Sequence, residues 1–306
     1  MISKDKIISW LKLMRLEFYS MPLVVYVLGA LISYRLNNLF FIKNFFIGYS
    51  IIFLIELITV LTNEYYDYNA DKLNPRPTRF TGGSRVLVQK KISLRAVKYS
   101  IIFVFFIIVL TGVCLLKVTS FSIAVLFLLV LGIILGISYT TPPLKLSYRG
   151  LGEIDVAYIH GFYVIICGYV FQSKILDTSI IFIVAIPIFF SSLAGVSLAG
   201  ISDIDSDRLV SKKSLALILG RRGILIFSAF FTIVTGIIST YLWPSLIFGT
   251  YSYIYFLITL YSIILVFIIF RAIQKSDIMI EKLILRAMFL IALSTFVPLI
   301  IFIFYN

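Results

Sequence analysis

The chain has 306 residues, 61% of them hydrophobic and 13% charged, with a mean hydropathy of +1.07. A soluble domain is about half apolar and a quarter charged, so this composition excludes soluble, disordered and collagenous classes and points to a polytopic membrane protein. Lysine and arginine number 27 against 14 acids, a formal charge of +13, which in an apolar chain is read as membrane topology before it is read as nucleic-acid binding.

The first 17 residues interleave Ile7, Ile8, Trp10, Leu11, Leu13 and Met14 with Lys6, Lys12 and Arg15. That pattern predicts a helix lying at the membrane surface, and the segment is too charged for a cleavable signal peptide. A bilayer core asks for roughly 20 mostly apolar residues per helix. Nine such runs follow: 18–34, 40–62, 99–116, 119–139, 154–172, 178–200, 224–242, 246–270 and 284–304. Their length and their Ile, Leu and Phe content predict an all-α membrane bundle, read as a single domain over 1–306, and no alternating barrel pattern interrupts them. Cys114 and Cys167 lie inside apolar runs, without metal-ligand spacing.

When the loops are assigned alternately to two sides, 23 of the 27 basic residues share one side. The opposite side keeps only Arg35, Lys43, Lys117 and Lys174. The positive-inside rule then places the N-terminus in the cytoplasm and, with nine spans, the C-terminus outside. Twelve of the 14 acids also fall on the cytoplasmic side, which the rule does not require.

Those acids gather at the ends of two spans. After the second span, NEYYDYNAD sets Asn63, Asp67 and Asp71 at i, i+4 and i+8, so on a continuing helix the three share one face. After the sixth, GISDIDSDR sets Asp203 and Asp207 at i, i+4, with Asp205 on another face. Stacked carboxylates repel unless something compensates. One compensation is Mg²⁺, which takes oxygen ligands and sits between one or two carboxylates and a phosphate. Two facing clusters can hold two or three such ions around a diphosphate; the competing reading is solvated loop charge beside many cations. In KLNPRPTRFTGGSRVLVQKK, the Gly82-Gly83 turn permits close backbone approach, and Arg76, Arg79 and above all Arg85 are candidates for phosphate contacts. The loop YTTPPLKLSYRGLGE brings Tyr139, Lys145, Arg149 and Glu153 around a Pro-Pro turn, with Lys145 a further phosphate candidate or an interfacial anchor.

NEYYDYNAD resembles the first aspartate-rich motif of the UbiA superfamily of intramembrane prenyltransferases, with Glu64 in place of one Asp. DIDSDRLVSKKSLALILG resembles its second motif and the basic, Leu-Ala, Leu-Gly stretch that follows. The GGSRVL run and the PPLKLSYRGLGE loop look most like the MenA branch, which prenylates 1,4-dihydroxy-2-naphthoate. The resemblance implies Mg²⁺-dependent transfer of a polyprenyl group from its diphosphate to a lipophilic acceptor. Asn63, Glu64, Asp67, Asp71, Asp203 and Asp207 would hold metal, the four aspartates would be catalytic, and Asn63, Arg85, Tyr139, Lys145 and Arg149 would contact substrate. Prenyl transfer to a glycerol-phosphate lipid, terpene cyclisation and an ion-coupled transporter are the alternatives, although transporters place their charged sites nearer the midplane. Glu56 and His160 are ionisable groups inside spans: Glu56 is read either as shaping the acceptor pocket or as paired with a polar neighbour, and His160 as a hydrogen-bonded bundle residue or a base. Membrane lipids, an isoprenyl diphosphate and the acceptor are the expected partners; no nucleic-acid partner is expected.

Overall fold

The computed structural model describes residues 4–75, 77–176, 179–246, 252–274 and 279–304, and of 244–246 and 252–253 the backbone alone. Arg76, one of the three candidate phosphate arginines, lies outside them. The described residues form α1 (Lys4–Met14), α2 (Ser20–Asn37), α3 (Ile42–Tyr66), α4 (Tyr68–Leu73), α5 (Leu94–Val118), α6 (Ile123–Ser138) and α7 (Gly152–Tyr158). They continue through a π turn (Ile159–Tyr163) into α8 (Val164–Ser173), then α9 (Ser179–Ala199), α10 (Ile204–Leu209), α11 (Leu215–Leu246), α12 (Ser252–Gln274) and α13 (Ile280–Phe304). No named strand occurs among them; the single isolated bridge joins Arg149 to Lys213.

Eight of these rods are long and apolar enough to cross a membrane, with α7 to α8 counted as one. The chain is a multi-pass membrane protein. The ninth expected span, 119–139, is α6, an apolar helix of only 16 residues. It is short because Ser120 and Phe121 take left-handed backbone before it, at φ 58° and 56°, and its C-cap Tyr139 leads into the Pro142-Pro143 turn. The seventh span begins earlier than 224, since helix resumes at Leu215 and runs through Arg221 and Arg222 across a kink at Gly220.

Helices pack closely where side chains are smallest. A Cβ on Gly29 of α2 would lie 2.1 Å from the Ile165 carbonyl oxygen, and one on Gly168 of α8 would lie 2.2 Å from that of Tyr26. The two backbones therefore touch at that crossing, the usual role of small residues between membrane helices. Gly161, in the π turn, presses against the Phe189 backbone of α9 in the same way. These contacts, with α9 packed on α7, α11 and α13, position the walls of a cavity lined by residues of α3, α7 and α9.

Candidate active site

The first acidic motif does not continue as one helix. α3 ends at Tyr66, and its C-cap Asp67 has φ −87° and ψ 4°, so the chain turns before α4 carries Asp71. The row of Asn63, Asp67 and Asp71 is thus bent at Asp67 rather than straight, yet the three still line one cavity. The reason is tertiary: Asp67, only 4% exposed, is held by groups from far along the chain. Its Oδ1 accepts from the Tyr148 hydroxyl at 2.7 Å, and its Oδ2 accepts from Lys212 Nζ at 2.7 Å. Lys212 also stands 3.9 Å from Asp207 Oδ1, so one ammonium joins the two motifs. Burial by itself would lower the Lys212 pKa; Asp67 and Asp207 outweigh it and hold the group well above its ordinary range.

The second motif is also bent. A 3-10 turn spans Gly200–Asp203 before α10 carries Asp207. Asn74 Nδ2 donates to Asp203 Oδ1 at 2.8 Å, a second tie between the motifs. Tyr148 reaches Asp67 because Lys213 N–H donates to the Tyr148 carbonyl at 3.3 Å, pinning the Pro-Pro loop to the turn that presents Lys212.

A glycine-rich loop closes over the first motif. Glu64 accepts from Ser84 twice, through the backbone N–H at 2.6 Å and the hydroxyl at 2.7 Å. Both carboxylate oxygens are thereby engaged with the loop. Gly83 has φ +65°, and a Cβ there would lie 2.1 Å from Asp71 Oδ2. Gly83→Ala is therefore expected to strain the backbone and push Asp71 aside, at roughly 1 to 3 kcal/mol. A lower thermal unfolding midpoint in detergent checks this; an unchanged midpoint would show that the loop yields freely. Arg15 Nη2 donates to the Arg79 and Phe80 carbonyls, each at 3.2 Å, tying the segment after α1 to the same loop. Under this cover burial, then the charges of Asp67 and Glu64, raise the Asp71 pKa to about 8, against the opposing pull of Lys212.

A cavity of about 530 Å³ opens between the motifs, with Asn63, Asp67, Asp71, Asp203, Asp207 and Tyr139 in its lining. Arg15, Arg79 and Lys212 line it too. Burial keeps the Tyr139 hydroxyl protonated far above the ordinary phenol range. Glu64, Arg85, Lys145 and Arg149 are not among its lining residues. Arg85 donates to the Asp71 carbonyl, Lys145 lies 4.6 Å over the Tyr148 ring, and Arg149 donates to the Pro143 carbonyl at 2.8 Å. These cations brace loops, whereas Lys212 and Arg15, read in the sequence as topogenic and interfacial charge, face the cavity.

The donors fit a hard divalent cation that arrives with a phosphate. They are carboxylates plus the Asn63 amide oxygen, which is buried with no hydrogen-bond partner. No group of three or more His, Cys, Asp or Glu among the described residues is placed to hold an ion unaided. Mg²⁺ needs only one or two carboxylates when phosphate oxygens and waters complete its octahedron.

A family model described as the UbiA prenyltransferase family matches residues 23–303. The chain belongs to this family. The 1,4-dihydroxy-2-naphthoate octaprenyltransferase of Bacillus subtilis is 28% identical over 55% of this chain and 52% of its own length. The protein of the same name from Escherichia coli is 29% identical over 55% and 54%. The chain thus spans about half the length of the curated relatives it matches. Among solved structures, the apo UbiA homolog from Aeropyrum pernix K1 superimposes with a TM-score of 0.68 at 18% identity, covering 93% of this chain and 98% of that one. The UbiA homolog from Archaeoglobus fulgidus bound to GPP and Mg²⁺ gives 0.63 at 16% identity, covering 95% and 99%. These likenesses establish the UbiA fold for this chain.

Proposed function

We propose that the protein transfers a polyprenyl group from its diphosphate to an aromatic quinone precursor, 1,4-dihydroxy-2-naphthoate, and releases diphosphate. The observation that carries this reading is the meeting of two acidic motifs at one end of a cavity whose lining is otherwise largely apolar. Only a substrate with an anionic head and a hydrocarbon body matches both parts. The names of the two curated relatives support the naphthoate, and the Mg²⁺ and GPP of the Archaeoglobus structure support the head group.

In this reading Asn63, Asp67, Asp71, Asp203 and Asp207 hold Mg²⁺, which when bound neutralises the departing diphosphate. Two or three ions are expected from the number of donors. Lys212, Arg15 and Arg79 face the same region and supply fixed positive charge to the leaving oxygens. The allylic carbon–oxygen bond breaks, an aromatic carbon forms the new carbon–carbon bond, and that carbon loses a proton. Ile52, Ile55, Ile159 and Val164, which line the cavity, keep water from the allylic cation. The acidic end of the cavity faces the cytoplasm, with the N-terminus on that side and the C-terminus outside, and residues 1–306 act as one domain.

Pyrophosphate release by the purified protein, given geranylgeranyl diphosphate and the naphthoate, tests the reading. Release is expected with Mg²⁺, not with EDTA, and only when the naphthoate is present. Release without acceptor would replace transfer by cyclisation or hydrolysis. The raised Asp71 pKa adds a pH dependence. A cation must displace the Asp71 proton, so apparent Mg²⁺ affinity in the presence of pyrophosphate rises with pH up to about 8, by at most tenfold per unit. Calorimetric titration at pH 6.5, 7.5 and 8.5 checks this, with Asp71→Asn flattening the dependence.

A further inference from the structure

The cavity carries a second polar tier that the diphosphate does not need. Asp155 of α7 and Ser192 of α9 both line it, at 6% and 2% exposure, and Asp155 Oδ2 and Ser192 Oγ are buried without any hydrogen-bond partner. Buried oxygens left unmatched forfeit their hydration with nothing in return, so a pair of them on residues that line one cavity asks for a partner. His160, also in the lining, uses Nδ1 on the Val156 carbonyl at 2.9 Å. A carbonyl only accepts, so Nδ1 carries the proton and Nε2 is left as an acceptor. Glu56 lines the cavity from α3.

Glu56 and Ser192 lie deeper along their helices than the acidic motifs, whereas Asp155 sits in the first turn of α7. Glu56 precedes Asp67 by eleven residues and Ser192 precedes Asp203 by eleven, each about 16 Å of helical rise. Asp155 and His160 sit on the same wall as Ser192, because Gly161 touches Phe189 one turn away. The π turn Ile159–Tyr163 adds a residue to that wall. Without it, 155 and 156 would drift off the face shared by 159, 160, 163 and 164, all of which line the cavity.

The chemistry of the tier selects its ligand. His160 Nε2 is an acceptor, the Asp155 and Glu56 carboxyls can accept whether ionised or not, and Ser192 can serve either way. A prenyl chain offers them nothing, and a carboxylate or phosphate brings only further acceptors. What matches is an O–H donor on an otherwise apolar body. We propose that Asp155, Ser192 and His160 form a hydroxyl-recognition subsite for a phenol or hydroquinone acceptor. The acceptor's hydroxyl edge points into the membrane, and any carboxylate points outward to Lys212 and Arg15. The identity of the acceptor rests on the prenyl-transfer reading; the preference for a hydroxyl does not.

The test needs no turnover. The fluorescence of 1,4-dihydroxy-2-naphthoate and of its dimethyl ether is titrated, under argon and without prenyl diphosphate, against the purified wild type, Asp155→Leu, Asp155→Asn and Ser192→Ala. The wild type should bind the dihydroxy form at least tenfold more tightly than the ether. Asp155→Leu should abolish that preference, Asp155→Asn should keep part of it, and Ser192→Ala gives a milder loss should Asp155→Leu fail to fold. Equal binding of both ligands by the wild type, or a preference untouched in Asp155→Leu and Ser192→Ala, overturns the subsite and leaves the tier to water. A preference that follows Asp155 in a protein showing no pyrophosphate release would sink the prenyl-transfer reading alone. Release without preference would sink the subsite alone.

Discussion

Asp67→Ala should lower turnover by at least a thousandfold, equivalent to about 4 kcal/mol of barrier. Three consequences converge on that one carboxylate. It is a candidate metal donor, it fixes Tyr148 at 2.7 Å, and it fixes Lys212 at 2.7 Å. Its removal leaves Lys212 with Asp207, at 3.9 Å, as its one ion-pair partner among the described residues. Some loss of stability therefore accompanies the loss of activity, and the alanine variant alone does not separate them. Asp67→Asn does: its carbonyl still accepts from the Tyr148 hydroxyl, so the bend survives, while the charge is gone. The expected result is an asparagine variant that melts within a few degrees of wild type and is as inactive as the alanine variant. Activity within tenfold of wild type would remove Asp67 from the metal site.

Lys212→Met should show itself first in the absence of metal. Asp67 and Asp207 are 4% and 3% exposed, and Lys212 is the cation that lies between them. Taking one partner from a buried ion pair typically costs about 3 to 5 kcal/mol, because the remaining charge has no water to replace it. The variant's unfolding midpoint should therefore fall sharply in EDTA and recover with Mg²⁺ and pyrophosphate by more than the wild type gains. Turnover should still drop, by about a hundredfold or more, since a fixed cation facing the leaving group is lost. Lys212→Arg should retain most of the stability and part of the rate. A variant that melts like wild type in EDTA would show that the ion pair does not hold the motifs together.

The sequence displayed the parts of this molecule that local pattern determines. Apolar runs of bilayer length located the membrane rods. α6 is shorter than its apolar run because Ser120, Phe121 and the Pro-Pro turn trim its ends, and α11 begins early because helix tolerates Arg221 and Arg222 at an interface. The spacing of Asp67, Asp71, Asp203 and Asp207 was legible because acids at i, i+4 repel one another and so call for compensation. The bend at Asp67 was not, since it depends on Tyr148 and Lys212, 81 and 145 residues away. Lys212 is flanked by Lys213, and nothing in their neighbourhood distinguishes the one that turns inward. Arg85 and Lys145 take the opposite course: both have left-handed backbone, at φ 65° and 45°, and their charges settle on a carbonyl and on a ring. Asp155 does not stand out in the sequence, because a single acid at the start of the 154–172 run reads as charge at a helix end until the cavity shows its Oδ2 unpartnered.

The bends at Asp67 and Asp203 have a kinetic corollary. The last turns of α3 and α9 precede the two acidic motifs, so the partial negative poles of two helix dipoles lie beside carboxylates that line the cavity. If the chain acts as proposed, an uncomplexed diphosphate approaching this rim would meet more repulsion than one carrying its divalent ion, so the chelate would be the species that enters.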